Sequence, residues 1–163
     1  MKLMTLVRTA AATAATALAG SVAADPDGDW YRGLRKPGWQ PPAIAFPVVW
    51  TALYADIAVS SAVALDGRDA LETGGAATAQ KIRDYRRALA VNLFLNAAWS
   101  WLFWRGRRPQ LAAAECAVLT VSSADLVRRT YALNRGAGRS LAPYAVWCGF
   151  ATALSTAIAK GNP

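Results

Sequence analysis

Apolar residues gather in long blocks along this chain, and charged residues crowd into four short segments, about 25–36, 66–87, 105–108 and 128–139. The blocks between them run about 3–24, 43–65, 88–104, 109–127 and 140–159. Each approaches the length of a bilayer crossing, about 17–25 residues. The pattern predicts an all-α membrane protein, a bundle of five transmembrane helices forming a single domain over residues 1–163.

The blocks differ in strength. "SLAPYAVWCGFATALSTAIA" carries no formal charge, whereas the second block contains Asp56 and the fourth contains Glu115 and Asp125. An acid at mid-helix costs about 2.5–3.5 kcal/mol on insertion, and each Leu or Val returns only about 0.3–0.6. The fourth block therefore inserts beside its neighbours, with Glu115 facing the bundle interior and Asp125 reaching the interface. The first block, "MKLMTLVRTAAATAATALAGSVAADP", admits two readings, a first membrane helix or a secretory signal cleaved before Asp25.

The connections are equally legible. Residues 25–42 open acidic and turn basic and proline-rich, and Pro41-Pro42 bar any helix from running back into them. Pro47 falls in the first turn of the second helix, where a missing N–H does least harm. Loop two carries a Gly-Gly break, and "RGRRP" is a tight turn that makes helices three and four an antiparallel pair. Loop four holds Arg128, Arg129, Arg135 and Arg139 around "NRGAGR". No repeat or second domain is evident.

Composition adjusts this picture modestly. Hydrophobic residues make up 55% of the chain and charged ones 17%, against about 45–50% and about 25% in soluble domains. The net charge of +8 does not point to nucleic acid, because the cations sit between apolar blocks, where they meet anionic lipid. With the first helix retained, eleven cations fall on the N-terminal face and seven on the other, a bias that favours a cytoplasmic N-terminus. Abundant Ala and Arg suggest a bacterial source and a cell-envelope location. With no histidine, His-ligated haem, His-containing zinc sites and a Ser-His-Asp triad are excluded, and no metal site is expected. Cys116 and Cys148 read as small buried hydrophobes.

The candidate chemistry lies in seven tryptophans, concentrated in "WYRGLRKPGWQPPAIAFPVVW" and in the third block. Trp101 and Trp104, beside Arg105, Arg107 and Arg108, suit an interfacial belt. Trp50, Trp99 and Trp147 lie within their blocks. Trp50 and Tyr54 share one helical face, as do Asn92, Asn96 and Trp99, and Tyr144, Trp147 and Ala151. Rings with a few polar anchors converging in a bundle suit a large flat apolar ligand, and Asn92 and Asn96 turn inward whether they meet that ligand or a neighbouring helix. Arg32, Arg35 and Lys36 offer partners for carboxylates on the ligand's rim. A porphyrin fits, as does a sterol or a planar drug-like compound. Without histidine a porphyrin is held by stacking and edge contacts. Glu115 and Asp56 are the groups that would favour a carrier instead, and the Ala-rich first and fourth helices (Ala10, Ala14 and Ala17; Ala112, Ala113 and Ala114) offer contact surfaces between copies.

"WYRGLRKPGWQPP…FPVVWTALY", "NLFLNAAWSWLFW…RRPQLAAAECAVL" and "APYAVWCGFATALS" resemble the tryptophan-rich sensory protein / translocator protein family, from about Ala19 to about Ile158. The resemblance implies five membrane helices, a homodimer, and a pocket for porphyrins and benzodiazepine-site ligands capped by the first loop. It assigns Trp50, Tyr54, Asn92, Trp99, Cys116, Trp147 and Ala151 to the pocket and Trp30 and Trp39 to the lid. It requires no cofactor, and it retains residues 3–24 as the first helix. Light-dependent porphyrin degradation, ascribed to some bacterial members, implies a catalytic part for Trp50 and Trp147. Ser155 replaces a usual Asn, Asp56 is unusual, and the sterol consensus of animal members lacks its Tyr here.

Overall fold

Among the described residues, 2–66 and 75–162, the computed structural model has six α-helices and no strand. They are α1 (Leu3–Ala23), α2 (Asp29–Gly33), α3 (Ala45–Leu65), α4 (Ala76–Ser100), α5 (Pro109–Leu133) and α6 (Arg135–Gly161), and α4 runs on into a π-helical turn, Trp101–Arg105. Where five crossings are expected from the sequence, four helices (α1, α3, α5 and α6) are long and apolar enough to span a membrane. α4 fails over its whole length because its first half, "AATAQKIRDYRR", is polar; its apolar stretch begins at Ala88 and continues through the π turn.

Two predicted loops are largely helical. Residues 76–87 belong to α4, rich in alanine and supported by Gln80 donating to Asp84 at 2.8 Å and Arg83 donating to Gln80 at 2.6 Å. Residues 67–74 of that predicted loop, Arg68 and Gly74 among them, lie outside the described residues. Loop four contracts to Asn134, whose side chain caps α6 by accepting from the Ala137 N–H at 2.9 Å. So abrupt a reversal requires Gly138, where a Cβ would come within 2.4 Å of the Tyr131 Cα. Gly106 closes the π turn for the same reason, a Cβ there falling 2.7 Å from the Leu102 carbonyl oxygen.

α1 packs on α3 and α4, while α5 packs on α4 and α6, and α3 on α6. One face of α1 is a threonine seam. Thr9, Thr13 and Thr16 are buried; Thr13 and Thr16 return their hydroxyls to carbonyls of the preceding turn, while the single hydroxyl proton of Thr9 goes to Ala58 O of α3 at 2.8 Å, with the Thr5 carbonyl a longer alternative at 3.2 Å. Back-bonding of this kind lets a hydroxyl sit in an apolar layer. At the other end of α3, Asp66 accepts from the Lys2 backbone N–H and from the Thr5 hydroxyl. Burial raises its carboxyl, but these bonds outweigh it and hold the group below its ordinary value of 3.8.

Ala112 is fully buried within the protomer beside Phe103. Ala112 is therefore unavailable as a contact between copies, whereas its neighbours Ala113 and Ala114 are half-buried and exposed. Asp56 is half-buried and accepts from Ser60 and from Ser140 of α6, both at 2.8 Å. It is a cross-link between α3 and α6.

Candidate functional site

The bundle interior is organised by a directed chain of hydrogen bonds. Tyr54 of α3 donates to Asn96 Oδ1 at 2.6 Å, Asn96 Nδ2 donates to the Tyr144 hydroxyl at 3.2 Å, and Tyr144 donates to Asn92 Oδ1 at 2.7 Å. Asn92 Nδ2 then donates to Ser122 at 3.1 Å and to Ser123 at 3.0 Å. Four helices are thereby joined, each link donating to the next, an order in which hydrogen bonds polarise one another favourably. The spacing of Asn92 and Asn96, one helical turn, carries the chain along one face of α4. Asn92 and Tyr144 are fully buried, so Asn92 is committed to neighbouring helices. A second link joins α3, α4 and α5, with Thr130 donating to the Tyr85 hydroxyl at 3.2 Å and Tyr85 to Ser61 at 3.0 Å.

Aromatic rings build on this frame in two groups. In the first, Trp50 lies 5.5 Å from Tyr54 and 6.4 Å from Tyr144, and Trp147 lies 6.2 Å from Phe46 and 5.1 Å from Phe150. Trp39 of the lid meets Phe150 edge-on at 5.9 Å and stays half-exposed. In the second, Phe103 is the hub. Trp99 stacks on it at 5.2 Å with an interplanar angle of 10°, and Trp30, Tyr31 and Trp104 approach its edges. Such pairs contribute about 0.5–1.5 kcal/mol each beyond the area they bury. Trp104, read as part of a belt, is half-buried against Tyr31 at 4.7 Å. Trp101 is 47% exposed and donates to the Ala19 carbonyl of α1 at 3.1 Å.

The sequence-predicted residues thus divide. Trp50, Tyr54 and Trp147 pack around the core that includes Leu53, Tyr144 and Cys148. Trp30 and Trp99 join the Phe103 group. Cys116 is buried against α6, its thiol 4.0 Å from the Cys148 carbonyl, and Ala151 is half-buried on α6. Phe103 and Phe150 went unremarked in the sequence, although Phe103 follows Trp99 by four residues and Phe150 follows Trp147 by three, the spacings of one helical face.

The first loop lies over these rings and is clasped to the end of α6. Asn162 accepts from the Arg35 N–H through Oδ1 at 3.0 Å and returns Nδ2 to the Arg35 carbonyl at 3.0 Å. Lys36 donates to the Tyr31 carbonyl at 2.6 Å and rests 4.2 Å from the centre of that ring. Arg32 pairs with Asp27 at 3.3 Å on the surface. Several buried polar atoms lack a partner among the described residues: the indole Nε1 of Trp99 and of Trp147, Gln40 Oε1 of the lid, and both carboxyl oxygens of Glu115. Buried polar atoms are nearly always paired, so each of these calls for a partner beyond the described residues.

Apolar helices of bilayer length, joined internally by buried hydroxyl and amide groups and topped by an aromatic lid, define an integral, multi-pass membrane protein. The model of the TspO/MBR family matches residues 6–160, and the chain belongs to that family. It is similar to the tryptophan-rich sensory protein of Cereibacter sphaeroides, with 31% identity over 129 residues, 78% of this chain and 73% of that one. It is also similar to the human translocator protein, 29% identical over 82% of this chain and 75% of the relative, and to the Bacillus subtilis membrane protein YtaB, 28% identical over 83% and 82%.

Proposed function

We propose that this protein is a membrane receptor or sensor that binds porphyrin-like tetrapyrroles among its aromatic rings, beneath the first-loop lid. The carrying observation is the pair of buried, unpartnered indole N–H groups on Trp99 and Trp147, together with the orphaned carboxyl of Glu115 and carbonyl of Gln40. Donors and acceptors set among flat rings match a planar molecule with an apolar face and a few polar atoms. The absence of histidine from the sequence leaves stacking and edge hydrogen bonds as the means of holding it. The names of the relatives, sensory protein and translocator protein, agree with ligand sensing or passage. Pairing of two copies through the exposed small-residue face of α1 that includes Ala14 is part of the proposal.

Titration of the detergent-solubilised protein with protoporphyrin, followed by tryptophan fluorescence, tests the reading. Saturable quenching is expected, with weaker affinity in Trp50→Phe and Trp147→Phe. Absence of quenching, or titrations identical in both variants and the wild type, refutes it.

A further inference from the structure

A groove of about 560 Å³ runs between α3 and α6 on the outside of the bundle. Its walls are apolar over most of their length, with Leu53 on α3 and Ala142, Val146, Trp147 and Phe150 on α6, and Arg139 lies at one end. We propose that this groove holds one acyl chain of a glycerophospholipid, with the headgroup phosphate on Arg139.

The dimensions support this occupant. From Arg139 to Phe150 the groove follows eleven residues of helix, about 16 Å at a rise of 1.5 Å per residue. That is close to half of the hydrocarbon thickness, about 30 Å, which is the depth of one leaflet. A chain lying along it places its headgroup at the α6 N-terminal end. There Arg135 and Arg139, one turn apart and both exposed, share a face. Guanidinium groups are the side chains best matched to phosphate oxygens.

The backbone adds a second polar feature. Pro143 lies inside α6 and has no N–H, so the Arg139 carbonyl loses its intrahelical donor and is left to accept from a headgroup hydroxyl or its water. Ala142 keeps the floor of the groove low, and Val146 on its rim is 72% exposed. A second protein copy seated here would have to desolvate Arg139 against an apolar surface. A lipid keeps that cation at the wet interface while covering Val146.

The full chain in dodecyl maltoside is titrated with phosphatidylglycerol carrying bromine on its acyl chain, and quenching of tryptophan is read, Trp147 being on the groove wall. Saturation at one lipid per protomer is expected. Arg139→Gln should weaken the apparent affinity about tenfold, the scale of one charge-assisted hydrogen bond, and brominated diacylglycerol, lacking phosphate, should bind wild type equally weakly. Ala142→Phe should abolish the saturable phase. Quenching that rises linearly without saturating, or that is indifferent both to phosphate and to Arg139→Gln, overturns the proposal. So does a light-scattering mass showing that Ala142→Phe splits a dimer while leaving the lipid titration unchanged. Arg139 is exposed, so its variant keeps the fold and the headgroup comparison stands even where Ala142→Phe does not accumulate.

Discussion

Removing one oxygen atom from the middle of the bundle is the sharpest test of how the helices are held. Tyr144→Phe retains the ring and its packing against Trp50 but deletes a hydroxyl that donates to Asn92 at 2.7 Å and accepts from Asn96 at 3.2 Å. The site is fully buried, so no water replaces the missing partner, and the Asn92 oxygen and an Asn96 N–H are left unpaired. Interhelical hydrogen bonds in membranes contribute about 0.6 kcal/mol each on average and up to about 1.7. Two of them put the destabilisation at about 1–3 kcal/mol. The measurement is reversible unfolding in mixed micelles by titrated dodecyl sulfate, followed by circular dichroism. Asn96→Leu removes the next link, and the double variant should be less destabilised than the sum of the single effects, because the two residues share a bond. A Tyr144→Phe protein as stable as wild type, or strictly additive effects, would show that ring packing alone orders these helices.

Two further outcomes follow from particular contacts. Gly138→Ala should destabilise the α5–α6 hairpin by about 1–3 kcal/mol, the range for overpacking, because the new Cβ would lie 2.4 Å from backbone of Tyr131; unchanged thermal stability would contradict the close approach. Asp66, held below its ordinary 3.8 by Lys2 and Thr5 against the opposing effect of burial, contributes stability that is complete above that value and is lost as pH falls through the lower folded one. Acid unfolding monitored by circular dichroism should accordingly lose part of its pH dependence in Asp66→Asn, and identical acid limbs in the two proteins would refute the link.

The long apolar blocks were legible because a membrane span is a one-dimensional property: length and the absence of charge suffice. Boundaries were less so. Residues 76–87 are helical although polar, since alanine content and neighbouring side-chain bonds favour helix whether or not lipid surrounds it. The turn at Asn134 needs only one residue because Gly138 lets two backbones touch. Trp50, Tyr54 and Trp147 read as inward-facing from their positions within apolar blocks, and the structure packs them on the core. Phe103 could not be ranked above other phenylalanines, because its role as hub depends on Trp30 and Tyr31 arriving from a distant loop.

By itself the sequence determined that this is a helical membrane protein with an aromatic, proline-stiffened first loop, since hydrophobic block length and proline geometry act locally. Tertiary structure decided what the polar residues do. Asn92 and Asn96 bridge helices, Asp56 ties α3 to α6, and Glu115 is left without a partner among the described residues. Whether a buried polar atom is satisfied depends on which helix lies opposite, and no pattern along a single chain contains that information.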